Sequence, residues 1–357
     1  MRVKYFKKSE LLKKVKQVLS PIKPTERILL VSLLLIIINS LTVHLTVSNA
    51  LNRNILLSFP KVSSEFEFHH ISEAPYRITK PGYYRLVNNI YTKSEGITIE
   101  SDDVTLDLNG YTIDGSSAGT KSEYSGVYSV GKRDITITGG AVTGFKIGIY
   151  ILDNYKDLDN TEKTVSGGCT IENMRLERNL VKGIWIHARE AKVRNNVIKR
   201  TTGTTLDTNY RTFGIEALGP GIIIENNHVI NTVPVGKEES VGISISGKGK
   251  GSVIRNNTIS NSSDIETGRS FGVWVGGSDR GVTNVAVLNN VVVNMMVGLA
   301  ASSPVNGVYR ENIVLGAEEN YYVSSKDFVD GGNNYGSGPK GNTNGVEFGR
   351  LLPDFKR

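Results

Sequence analysis

From Gly96 onward one four-residue pattern keeps returning: glycine, an aliphatic residue, a variable residue, and a second aliphatic residue. It reads Gly96-Ile97-Thr98-Ile99, Gly148-Ile149-Tyr150-Ile151, Gly183-Ile184-Trp185-Ile186, Gly242-Ile243-Ser244-Ile245 and Gly272-Val273-Trp274-Val275, with looser copies at Gly126, Gly214 and Gly298. Successive copies start 30, 22, 35, 31, 28, 30 and 26 residues apart. Between them runs an aliphatic segment broken by asparagine, ending at Asn173, Asn196, Asn227, Asn257, Asn290 and Asn312. Those asparagines recur after 23, 31, 30, 33 and 22 residues, so a fixed unit near 22 carries loops of variable length.

Three properties of the repeat select an architecture. Each unit alternates with period two, which is the signature of strands. Its apolar residues are mainly Val and Ile, which suit strands. No unit can bury its single apolar face alone, so the units must stack. An all-β solenoid of coils with two or three short strands, stacked at the parallel spacing of about 4.8 Å, satisfies all three. The asparagines accept tight-turn backbone conformations and can hydrogen-bond from coil to coil, a structural role.

Alternation points the two aliphatics of each tetrad into the core and the residue between them outward. From Gly126 to Gly298 that outward series is Tyr128, Tyr150, Trp185, Glu216, Ser244, Trp274 and Ala300. Both tryptophans stand in this one row. Next outward along the strands come Leu152, His187, Leu218, Ser246 and Gly276, and Arg189 lies beyond His187. An exposed line of aromatics is a platform for flat, partly apolar faces such as sugar rings, and a line calls for a reason that scattered surface aromatics do not. Residues 114–125, 199–213, 231–241 and 260–271 are insertions that all fall just before a tetrad. Insertions at one point of a repeat pile up on one side, so these predict a wall beside the row.

The stretch Ile78-Thr79-Lys80-Pro81-Gly82-Tyr83-Tyr84-Arg85-Leu86, then Val104-Thr105-Leu106-Asp107-Leu108-Asn109-Gly110-Tyr111-Thr112-Ile113, then the paired-asparagine coils, resemble the pectin-lyase-like right-handed β-helix proteins. The resemblance covers roughly residues 76–325. It implies a single-stranded right-handed parallel β-helix. It does not choose an activity, because that superfamily includes lyases, hydrolases, epimerases, phage spikes and non-catalytic surface proteins.

The ends read differently. Residues 1–27 hold nine cations and two acids, which leaves 33 of each sign in the rest, so the net charge of +7 belongs to the tail. The neutral body has no basic stripe of the kind nucleic acids require. Residues 28–47, led by the run ILLVSLLLIII, are long and apolar enough for a transmembrane helix, with the basic tail in the cytoplasm and the body exported. The rival reading is a signal peptide cleaved near Ala50, giving a secreted protein. Residues 48–75 read as linker and N-terminal cap, 76–325 as the solenoid, and 326–357 as a C-terminal tail or cap.

The catalytic candidates are His187 and Arg189 on one coil and Glu216 on the next, with Asp207, Tyr210 and Arg211 on the preceding loop. Removing a proton α to a uronate carboxylate needs a base, His187 or Tyr210, and a cation for the developing enolate, Arg189 or Arg211. That chemistry belongs to a polysaccharide lyase or epimerase. Glycoside hydrolysis needs two carboxylates about 5–9 Å apart, and Glu216 has only Asp207 as a partner. The bland alternative is a solvated strand edge with Glu216 paired to Arg189. The substrate-binding candidates are Tyr128, Tyr150, Trp185, Trp274, Tyr210 and Arg211. Asp153, Asp157, Asp159 and Glu162 are an acidic insert without an ordered calcium-ligand spacing, and His69-His70 have no third ligand close in sequence, so no metal or other cofactor is expected. Cys169, the lone cysteine, reads as a small buried hydrophobe. Two function classes remain: a protein that binds a polysaccharide, with or without enzymatic modification of it, and a non-catalytic surface scaffold.

Overall fold

The computed structural model describes residues 68–153, 166–206, 210–236, 238–247, 249–262, 269–276, 282–302 and 305–337. The expected tail 1–27, apolar segment 28–47 and most of the linker lie outside these residues, as do Asp157, Asp159, Glu162 and Asp207. Among the described residues no helix is long and apolar enough to cross a membrane.

Among the described residues every strand pair is parallel, and the strands build three sheets of 11, 10 and 10 strands. Each coil visits the sheets in turn. In one coil Lys182–His187 belongs to the tetrad sheet, Lys192–Arg194 to a second sheet and Val197–Thr201 to a third, after which Thr212–Leu218 pairs beside Lys182–His187. The architecture is therefore a parallel β-helix. Its strands reach past the repeat seen in the sequence, from Phe68–Ile71 at one end to Tyr335–Ser337 at the other. The last coils are legible only in three dimensions. There Tyr309 stacks on Tyr321 and Phe328 at 5.5 and 5.9 Å, and aromatic rings replace the aliphatic core.

The interior is the predicted one. Ile149, Ile151, Ile184, Ile186, Ile243, Ile245, Val273 and Val275 are all fully buried. Each such side chain contributes about 1.5–3 kcal/mol on leaving water. Cys169 is buried among them, and burial pushes its thiol up to about 11, so it is an inert filler.

The tetrad glycine has a steric cause. A Cβ on Gly183 would stand 2.6 Å from the carbonyl oxygen of Gly214 and 2.6 Å from the Ile198 side chain. The same clash repeats up the column, where the Cβ of Gly214 would meet the oxygen of Gly242 at 2.5 Å. Third-sheet side chains fill the corner beneath these glycines, which leaves no room for a methyl group.

The opposite corner is held by asparagine. The side-chain amides of Asn196, Asn227, Asn257, Asn290 and Asn312 each donate to the Oδ1 of the next, ending at Asn334, at 3.0 Å per step. Each Oδ1 also accepts a backbone N–H from the preceding coil, as Asn227 does from Asn196. The residue before each ladder position takes a left-handed turn, with φ of 56° at Asn195, Asn226 and Asn256. Buried amides in a closed chain leave few polar atoms unsatisfied, which lets a polar residue sit inside the corner.

Candidate functional site

Register carries the outward row without a break. Tyr128, Tyr150, Trp185, Glu216, Ser244, Trp274, Ala300 and Tyr322 are paired in sequence along the tetrad sheet. A second outward row runs alongside, three residues earlier: Ser125, Ile147, Lys182, Phe213, Val241, Phe271 and Val297.

A cleft of about 480 Å³ opens where the first coils of these rows meet the loops ahead of them. Its aromatic wall is Tyr150, Trp185, Tyr210 and Phe213, and its polar wall includes Glu123, Lys146, Lys182, Arg211 and Glu238. Four of the sequence candidates, Tyr150, Trp185, Tyr210 and Arg211, are thus brought together. Tyr128 stands one rung away, its ring 5.4 Å from that of Tyr150.

The rings of the row face one another. Tyr150 and Trp185 stack at 4.5 Å with an angle of 9° between planes. The ammonium of Lys182 lies 3.3 Å from the Trp185 ring centre. Both faces of the indole are therefore occupied, and the row shows the cleft its edges rather than a flat platform. Stacking follows from in-register pairing at one strand spacing, which places neighbouring rings at contact distance.

Lys182 also pairs with Glu216 on the next coil, and both side chains are nearly buried. The bland alternative in the sequence pairs Glu216 with Arg189, whereas the structure gives it Lys182. Lys182 stands on the strand directly beside Glu216 and nearer the cleft, and that position decides the partner. Burial holds the Lys182 ammonium below the ordinary lysine range, and the Glu216 carboxylate opposes the shift. At the cleft rim Lys146 pairs with the exposed Glu123 at 3.2 Å and lies 4.9 Å over the Tyr210 ring. Arg211 is held by Glu239 at 2.9 Å, and Glu239 also takes Arg269 at 3.2 Å. Burial pushes the Glu239 carboxyl up, against both arginines.

His187 and Arg189 are not in the cleft wall. His187 pairs in register with Leu218, and Arg189 bridges to Gly167 at the turn into the second sheet. Trp274 is not there either. It packs on a separate buried cluster of Phe213, Val241, Phe271, Val297, Ala300 and Tyr322, on the outer side of the same sheet. The expectation of one open groove with Glu216 between the two tryptophans is replaced by a cleft at one end and a packed cluster at the other. Asp102 pairs with Arg133 at 3.7 Å at a turn, and His69 stacks on Tyr84 at 4.6 Å. Among the described residues no group of His, Cys, Asp or Glu could hold a metal ion. The sequence reading missed Lys146, Lys182, Glu123 and Glu238. Alternation carried back past Gly183 gives Lys182 the inward parity of Ile184, so the sequence pattern concealed it.

The family is shown by its own pattern. A family described as the right handed beta helix region matches residues 125–314, more than half of the chain, and the protein belongs to it. Among solved structures it is similar to a double mutant of the periplasmic alginate epimerase AlgG, at 15% identity and a TM-score of 0.50, over 79% of this chain and 66% of that one. It is also similar to pectate lyase Pel9A, at 14% identity and a TM-score of 0.43, over 71% of each chain. A third is the Dettilon tailspike protein, at 15% identity and a TM-score of 0.43, over 75% of this chain and 59% of that one. At these identities the likeness is one of fold. The chain spans just under two thirds of the length of the epimerase. No curated protein matches it.

Proposed function

We propose that the cleft binds a saccharide, and that residues 28–47 anchor the exported solenoid to a membrane. The observation that carries the first part is the composition of one concave site. Aromatic edges from Tyr150 and Trp185, the Tyr210 ring and the charged ends of Lys146 and Arg211 converge on about 480 Å³, inside the usual range of about 300–1,000 Å³ for small-molecule sites. Sugars offer both apolar C–H faces and many hydroxyls, so such a mixed wall suits them. The fold shared with a protein described as an alginate epimerase supports the same ligand class.

A lyase or epimerase reading has one specific observation behind it. Lys182 is a lysine whose ammonium is disfavoured by burial, and Arg211 lines the same cleft as a cation for an enolate.

The test is titration of the full chain in detergent with alginate, polygalacturonate and a neutral glucan, each also as short oligosaccharides. Tyr210→Ala and Lys146→Ala should each weaken binding about tenfold, while Lys192→Ala on the second sheet leaves it unchanged. Equal binding by all three variants would place the ligand elsewhere. Absorbance from an unsaturated uronate product, lost in Lys182→Met, would establish the lyase reading. N-terminal sequencing that finds the mature chain starting at Leu51 would refute the anchor.

A further inference from the structure

Two of the insertion loops touch each other although their coils do not. Thr204 donates its hydroxyl to the Thr120 carbonyl at 2.9 Å, and the Thr205 backbone N–H reaches the same oxygen at 3.1 Å. The two hydroxyls of Thr120 and Thr205 meet at 2.8 Å. Thr120 belongs to the loop ahead of the strand Ser125–Val130, and Thr205 to the loop ahead of Thr212–Leu218. Between those strands stand two others, Ile147–Leu152 and Lys182–His187, whose entering turns are short. Ser125, Ile147, Lys182 and Phe213 are paired in succession, so the two loops rise three strand spacings apart, about 14 Å.

The short turns at Lys146 and Val181 leave a notch between the long loops, and the cleft lies on that notch, walled by Glu123 from one loop and by Tyr210 and Arg211 from the other. Left open, the notch would let an extended chain run across the strands and out past the loops. The Thr120 contacts tie together the two loops that flank it. We infer that Thr120, Thr204 and Thr205 form a clasp that sets specificity: the cleft accepts the end of a glycan chain or a short oligosaccharide, and excludes the interior of a polymer. This rests on the saccharide reading and adds to it which part of the chain is taken. The clasp also has a cause in the sequence, since two insertions of adequate length flank two tetrad strands that have none just before them.

Two changes read it out in the full chain. Thr204→Ala with Thr205→Pro removes every donor that reaches Thr120, because proline has no N–H. Thr120→Cys with Thr205→Cys permits the clasp to be locked by oxidation, Cys169 being buried and unreactive. The probes are polymeric alginate and polygalacturonate beside short oligosaccharides of each. The wild type and the locked form should bind oligosaccharide and discriminate at least tenfold against polymer. The opened form should bind polymer at least tenfold more tightly than the wild type, with oligosaccharide affinity within about threefold. If wild-type, locked and opened forms all treat polymer and oligosaccharide alike, the clasp proposal is overturned while the saccharide site stands. If no form binds either probe, the saccharide reading falls and the proposal with it. Circular dichroism confirms that each form is folded, and the locked form retains the test should the proline variant unfold.

Discussion

The two halves of the tetrad sheet's outer face share one register and differ in every other respect. In the first half the outward rows carry Tyr150, Lys182, Trp185 and Glu216, and a cleft opens over them. In the second half they carry Val241, Phe271, Val297, Ala300 and Tyr322, which are buried as a satellite core. Alternation marks Tyr150, Trp185, Glu216, Ser244, Trp274 and Ala300 as outward, whereas the row three residues earlier has the opposite parity and joins the same face only in the structure. Outward does not mean exposed: Ser244, Phe271 and Ala300 point away from the helix interior and are buried, while Tyr150 and Trp185 stay half-buried at the cleft. Register decides which way a side chain points, and the chemistry of its neighbours decides whether water reaches it.

The contrast can be broken at Phe271, where the largest effect is expected. Phe271→Ala should destabilise the body by about 3–5 kcal/mol in urea unfolding, as deletion of a fully packed aromatic does. A loss below about 1 kcal/mol would show that the satellite cluster is not a core.

A smaller effect is expected at the boundary between the halves. Lys182→Met leaves Glu216 buried without its counter-charge, at a loss of about 2–3 kcal/mol, since both side chains keep some contact with water. Adding Glu216→Gln should recover most of it, and a double variant no more stable than the single one would contradict the pairing. The pH dependence has a definite sign. Burial puts the folded-state pKa of Lys182 below the ordinary 10.5, so the unfolded chain holds the proton more tightly. Stability should therefore rise with pH from the lowered value up to 10.5, and this rise should vanish in Lys182→Met. Thermal midpoints measured across alkaline pH check it.

The smallest change sharpens the comparison at the open rim. Glu123 is 63% exposed where it meets Lys146, so Glu123→Gln should shift stability by less than about 1 kcal/mol, and by less again in high salt. A larger shift would mean that the rim is packed like the far half.

Much of this was legible in one dimension. The two-residue alternation marked Ile184 and Ile186 as core and Trp185 as outward, because pleating ties side-chain direction to sequence parity. The recurrence of Asn196, Asn227, Asn257 and Asn290 marked a ladder, because coils of one length bring the same turn back to the same corner. The parity argument also marked Glu216 and Trp274 as outward. It could not say that Lys182 would take Glu216, or that Trp274 would pack against Phe271.

What the sequence alone determined is whatever repeats: the coil, its register, its asparagine corner and the glycine column beside it. These follow from local geometry applied once per turn, so a single chain states them many times over. What only the tertiary structure decided is whatever joins coils through their irregular parts. Thr120 meets Thr205 across 85 residues, Glu239 gathers Arg211 and Arg269 from loops on either side, and Lys182 leans over Trp185 toward Glu216. Each of those contacts depends on how far a loop of particular length rises and turns. Loop conformation carries no period, and its partners are chosen by space rather than by spacing.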